Sequence, residues 1–179
     1  EKLEHLLSKA LDEELIEDAI ICKNDLERNK LWEIRENAAE NEKKELINSH
    51  AKKCLKHDIS LPINNIEKFH QETQKMISTK IKNTRTIFFG HLGDGNLHYN
   101  IFGNGNGDDG FENQSQNITE NLYKIIEKLN GSFSAEHGIG QLKKDNLRFF
   151  KDPVAYDLMK NIKYIIDPKN IMNPGKILI

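Results

Sequence analysis

The sequence has 179 residues, with 26 Lys and Arg against 28 Asp and Glu, a formal charge of −2 and 37% hydrophobic residues. That length fits one domain of about 150 residues with a real core, and the near-neutral charge gives no electrostatic footprint for nucleic acid or an anionic membrane. No run approaches the ~20 apolar residues of a membrane span, and two cysteines, Cys22 and Cys54, exclude a disulfide scaffold and a four-thiolate zinc site and fit reduced thiols in a cytoplasmic protein.

Leu3, Leu6, Leu7, Ala10 and Leu11 recur at helical spacing, so the chain opens on a helix. It opens without an initiator Met or an apolar signal region, and is expected to be a piece of a longer protein, shortened at its N-terminal end. Residues 18–22 form a short apolar run that reads as a strand. Asp25 is the expected N-cap of a second helix over 26–39. The Glu/Lys-rich stretch 40–53 reads as a solvated helix end or loop. Residues 54–62 read as a strand stopped by Pro62, followed by an amphipathic helix carrying Ile63, Ile66, Phe69, Met76 and Ile77.

Residues 84–89 are β-branched and aromatic, hence a strand. A turn over 91–98 leads into a returning strand, and 103–110 is a glycine-rich loop. Residues 113–129 carry Ile118, Leu122, Ile125, Ile126 and Leu129 at helical spacing. A short extended run at 132–135 and two further helices close the chain. The 84–102 pair reads as a hairpin, so an α+β fold is expected, with an antiparallel sheet and helices on one face.

Two segments carry the candidate chemistry. In GHLGDGNLHYN, residues 90–100, glycines allow tight backbone turns and deliver His98 onto a strand. Alternation puts His98 and Asn100 on one face and Tyr99 on the other. His91 lies seven residues before His98, and a hairpin can bring the two together. In SAEHGIG, residues 134–140, Glu136 and His137 stand among small residues. A carboxylate with two imidazoles is the ligand set of a divalent site with open positions, suited to Zn, Fe or Mn. The competing description is of hydrogen-bonded turn histidines, with Asp94 and Asn96 satisfying turn amides. Asp-Gly-Asn at 94–96 lacks the later acid of a calcium loop, GNGNG at 103–107 lacks dinucleotide spacing, and Ser132 and Ser134 lack a nucleophile-elbow context.

GHLGDGNLHYNI at 90–101, SAEHGIGQLKKDNL at 134–147 and IDPKNIMNPGKIL at 166–178, with LWEIREN at 31–37 and LKHDISLP at 55–62, resemble the C-terminal part of FAD-linked oxidases and dehydrogenases acting on D-2-hydroxy acids. That group includes the glycolate oxidase flavin subunit, D-lactate dehydrogenases and D-2-hydroxyglutarate dehydrogenase. The resemblance implies a ferredoxin-like cap, or substrate, domain over 1–179, with the FAD-binding domain lying outside this chain. It further implies that His91, His98 and Glu136 bind a divalent metal, that His137 is the general base, and that Arg35, Lys56 and Asn100 hold the substrate. Asn173, in the NPGK motif, would contact the flavin in the full protein. Ala39 stands where the hydroxyglutarate-specific relatives look to carry a hydroxyl residue, which leaves a second substrate carboxylate open.

The implied function is oxidation of a small 2-hydroxy acid to the 2-oxo acid, with hydride passing to FAD. The implied partners are an FAD-binding domain in cis and an electron acceptor of unknown identity. Peripheral membrane association and a homodimer are compatible with this. The isolated chain is expected to turn nothing over. The alternative is a stand-alone metal or small-molecule binding module without redox work, and a metallohydrolase stands third.

Overall fold

The computed structural model describes residues 2–48, 54–103 and 110–178, with the backbone alone at 39, 45, 46 and 48. The Ala39 side chain, residues 49–53 and the interior of the glycine-rich loop thus lie outside the described residues. Two compact units divide the chain, Glu1–Lys43 and Lys44–Ile179.

In the first unit, α1 (Lys2–Asp12) and α2 (Asp25–Glu36) bury no side chain. The α2 cap is Asn24 rather than Asp25: its extended backbone lets Oδ1 accept the Glu27 N–H at 2.9 Å, while Glu27 Oε2 accepts the Lys23 N–H at 2.8 Å. This resembles a capping box, except that the return bond goes to the residue before the cap. The helix stops at Glu36, with Asn37 as C-cap, and α3 (Ala38–Asn48) starts at once. Residues 18–22 form no strand. A short apolar run needs a ladder partner to become one, and here Asp18 Oδ1 takes the Ala19 N–H while Ile20 and Ile21 stay exposed.

The second unit carries β1 (Cys54–Ser60), a single 3-10 turn (Ile63–Asn65), α4 (Ile66–Ser78), β2 (Arg85–His91), β3 (Asn96–Phe102), α5 (Phe111–Lys128), α6 (Lys144–Phe150) and α7 (Pro153–Ile166). The sheet is antiparallel in the order β1-β3-β2. An isolated antiparallel bridge pairs Ser60 with Ser132, so the segment after α5 lies along the free side of β1. The fold is α+β with the ferredoxin-like strand order, its fourth strand reduced to that bridge.

Register divides the sheet into two chemically different faces. Leu55, His57 and Ile59 of β1 share a face with Leu97, Tyr99 and Ile101 of β3. This face meets α4 and α5. Ile59, Phe69, Ile77, Tyr99, Ile101, Ile118, Leu122 and Ile126 are buried there, each contributing roughly 1.5–3 kcal/mol of hydrophobic stabilisation. Phe69 meets Tyr99 edge-on with ring centres 5.0 Å apart.

The other face is polar. Lys56, Asp58 and Ser60 of β1 lie directly opposite Asn100, His98 and Asn96 of β3, and β2 adds Ile87, Phe89 and His91. The β2–β3 turn that sets this register depends on Gly95. Its φ is +68°, and a Cβ there would stand 2.0 Å from the Leu61 carbonyl oxygen. The Gly95 carbonyl in turn accepts the Leu61 N–H at 3.0 Å, which ties the turn to the end of β1.

Candidate metal and substrate site

Four side chains converge on the polar face. The ligand atoms of Asp58, His98, Glu136 and His137 all lie within 4.8 Å of one another. His98 comes from β3 and Asp58 from the opposing position of β1. Glu136 and His137 come from the segment that follows the Ser60–Ser132 bridge.

That segment is held by backbone chemistry. Asp58 Oδ2 accepts three successive amides, from Ala135 at 3.1 Å, Glu136 at 3.0 Å and His137 at 2.9 Å. Lys143 Nζ donates to the Phe133 carbonyl at 3.0 Å. Ser134 Oγ donates to the Gly138 carbonyl at 2.8 Å, across a turn whose Gly138 has φ +73°. The consecutive amides form an anion-binding nest, and Asp58 is its anion.

The side chains aim inward from there. Glu136 Oε1 stands 3.0 Å from His98 Nε2 and 3.8 Å from His137 Nε2. Glu136 Oε2 accepts from Asn96 Nδ2 at 3.0 Å. The rings of His98 and His137 have centres 5.6 Å apart. Exposure is graded: Asp58 is 3% exposed, His98 18%, Glu136 45% and His137 64%.

Burial raises the pKa of Asp58, but the His137, Glu136 and Ala135 amides and the His137 charge outweigh it, so its carboxyl lies below the usual range. Burial lowers the pKa of Lys143, and the Asp58 charge opposes that change. His57, on the core face, is pushed down to about 4 by burial, against the raising effect of the Tyr99 carbonyl and with a further lowering by Lys143.

The donor set fits a divalent ion. Tetrahedral ligands at ~2.0–2.1 Å stand roughly 3.3 Å apart, and the 3.0 Å between Glu136 Oε1 and His98 Nε2 is close to that value. Imidazoles combined with a carboxylate suit Zn, Fe or Mn.

A scan of sequence families matches residues 1–177 to "FAD linked oxidases, C-terminal domain". The chain belongs to that family. Among curated relatives, it is 34% identical over 161 residues to a D-2-hydroxyglutarate dehydrogenase of Stutzerimonas stutzeri, covering 89% of this chain and 33% of the relative. It is 34% identical over 179 residues to the mitochondrial D-2-hydroxyglutarate dehydrogenase of Arabidopsis thaliana, covering 99% and 30%, and 33% identical over 178 residues to that of Danio rerio, covering 99% and 31%. The chain spans about a third of the length of these relatives.

Within this FAD-linked oxidase domain, the structure brings His98, Glu136 and His137 together. His91 lies on the same sheet face, diagonal to His98, because His91 opposes Asn96 and Phe89 opposes His98. Such diagonal neighbours are ~7–8 Å apart. The His91 Nδ1 stands 3.8 Å from Asp94 Oδ2, and His91 is not within the 4.8 Å group. Asn100 and Lys56 are direct neighbours across β3 and β1, one pair from His98 and Asp58, and Asn100 is buried. Arg35 is half-buried in the last turn of α2, in the first unit. Asn173 has φ +47° in the closing segment. Asp167 accepts the Ile171 and Met172 amides at 3.0 Å and 2.9 Å, and Ile177 donates to the Gly140 carbonyl at 2.8 Å. That last bond joins the NPGK segment to the loop bearing Glu136 and His137.

Two residues of the constellation escaped sequence reasoning, Asp58 and Asn96. Strand parity was the available signal, since Asp58 is two residues from Lys56 and Asn96 two from His98. Lys143 is half-buried and holds the Phe133 carbonyl. No helix among the described residues is long and apolar enough to cross a membrane. Cys22 and Cys54 are not joined to each other in a disulfide.

Proposed function

We propose that this chain is the substrate- and metal-binding part of an FAD-dependent dehydrogenase that oxidises a D-2-hydroxy acid to the 2-oxo acid. The observation that carries this is the convergence of His98, Glu136 and His137 on the polar sheet face of a chain from the FAD-linked oxidase family. The names of the relatives favour 2-hydroxyglutarate within the substrate class; glycolate and D-lactate are the smaller members to compare.

His98 and Glu136 hold a divalent ion, with His91 as the third ligand from the adjacent strand. When bound, that ion would supply Lewis acidity toward the substrate hydroxyl and carboxylate, and FAD, which Asn173 would contact in the full protein, would supply the hydride acceptor. The remaining work belongs to side chains of this domain. His137 takes the hydroxyl proton: it is the most exposed of the four converging groups, and its Nε2 faces Glu136. Such a transfer contributes typically 10²–10⁴-fold in rate. Lys56 and Asn100, side by side on the sheet, bind the substrate carboxylate, one as a point charge and one by hydrogen bonding. Arg35, in the first unit, offers a planar fork to a carboxylate. The FAD-binding domain lies in cis, and the two cysteines, not joined to each other in a disulfide, fit a cytoplasmic setting.

The test is oxidation of D-2-hydroxyglutarate, D-lactate and glycolate by the full-length flavoprotein, followed with an artificial electron-acceptor dye. Turnover of a D-2-hydroxy acid that falls at least 10²-fold in His137→Ala, with flavin content unchanged, is the expected result. A flavin-loaded protein that oxidises none of them overturns the assignment and leaves a binding module.

A further inference from the structure

Asp58 lies at the centre of the polar face, and the mechanism above gives it no task. One of its oxygens is committed to the three amides of 135–137. The other, Oδ1, is buried with no hydrogen-bond partner. A buried carboxylate oxygen without a donor is unfavourable, and native structures seldom leave one so. The nearby donor is the imidazole of His98, whose Nδ1 is 3.8 Å from Oδ1. That gap is longer than a hydrogen bond, so the contact requires the two side chains to come closer. On its far side, the same ring presents Nε2 to Glu136 at 3.0 Å.

We propose that Asp58 is the positioning residue of this site: Oδ2 fixes the loop that carries Glu136 and His137, and Oδ1 holds the Nδ1–H of His98, so that Nε2 of His98 is left to face the ion. This rests on the metal assignment made above. The logic is that of a carboxylate behind a ligating histidine, which fixes ring orientation and tautomer; loss of such a partner typically lowers metal affinity 10–100-fold. One carboxylate thereby sets three groups that come from two distant stretches of chain. Asp58 touches neither ion nor substrate in this scheme.

Asp58→Asn separates the two tasks. The Asn oxygen can still accept the 135–137 amides, since its NH₂ cannot face three donors. The NH₂ must then point at His98 Nδ1, where a second donor repels the Nδ1–H. The experiment uses 15N-labelled full-length protein, with Zn²⁺ alone as the probe. Two quantities are read: the Zn²⁺ dissociation constant by competition with a chromophoric chelator, and water exchange of the His98 Nδ1–H by NMR. In the wild type a protected Nδ1–H is expected. In Asp58→Asn it is lost and Zn²⁺ binding weakens at least tenfold, while the 135–137 amides stay protected. An unprotected Nδ1–H in the wild type, or Zn²⁺ affinity within twofold in the variant, overturns the proposal. A wild type that takes up no Zn²⁺ refutes the metal assignment instead; Nδ1–H protection in the metal-free wild type then decides for or against the Asp58 contact. If Asp58→Asn does not fold, the wild-type exchange measurement still decides.

Discussion

Acidification should destabilise the second unit through a residue outside the candidate site. His57 is buried on the core face, with Nδ1 3.1 Å from the Tyr99 carbonyl and Nε2 3.2 Å from Thr119 Oγ1. The neutral ring satisfies both partners, donating to the carbonyl and accepting from the hydroxyl. Burial takes its pKa from 6.5 to about 4. The folded state therefore resists a proton that the unfolded state accepts. Stability from this group is complete above pH 6.5 and is lost as pH falls toward about 4. At ~1.36 kcal/mol per pH unit, the full loss is about 3 kcal/mol, of which about 2.5 is gone by pH 4.5. That is a large share of a typical folding free energy of 5–15 kcal/mol. Asp58 adds a loss of the same sign only below its unfolded value of 3.8, so pH 4.5 is a safe lower limit. The assay is urea unfolding between pH 7.5 and 4.5, followed by near-ultraviolet circular dichroism of the four tyrosines, all of which lie beyond residue 98. The midpoint should fall by on the order of 1 M. His57→Gln keeps a donor and an acceptor but does not titrate, and should remove most of the dependence. Equal pH slopes in the two proteins would refute the reasoning.

Two further outcomes follow from the backbone. Gly95→Ala must strain a residue at φ +68° and drive a methyl against the Leu61 carbonyl; a loss of about 2–4 kcal/mol in urea unfolding is expected. Asp167→Ala removes the acceptor of the Ile171 and Met172 amides. Those two amides should then exchange faster with water, and the segment bearing Asn173 should become more sensitive to protease, while the amides of β3 are unaffected.

The sheet was legible from residue pattern alone. The β-branched run at 84–89, the glycines at 93 and 95 and the alternation after 96 specify a hairpin, and the structure places β2 and β3 there. Pro62 marks the end of β1 because it has no amide to continue a ladder. The apolar run at 18–22 misled, since a strand is decided by a partner that local sequence does not reveal. The N-cap moved by one residue because Asn24 and Asp25 are both good caps, and only the backbone angle of Asn24 chooses between them. In the site, His98, Glu136 and His137 were visible as unusual residues among glycines. Asp58 was not, because its meaning depends on pairing across 77–79 residues with amides that no composition announces. Asn96 was read as a turn residue; its side chain turns out to hold Glu136.

The central claim is that the polar face of this sheet holds a divalent ion through His98 and Glu136. Elemental analysis of the purified protein, beside His98→Ala and Glu136→Ala, tests it most directly. About one equivalent of Zn, Fe or Mn in the parent, lost in both variants, is the predicted result. A parent without metal after reconstitution, or a variant that keeps the parent's content, would contradict it.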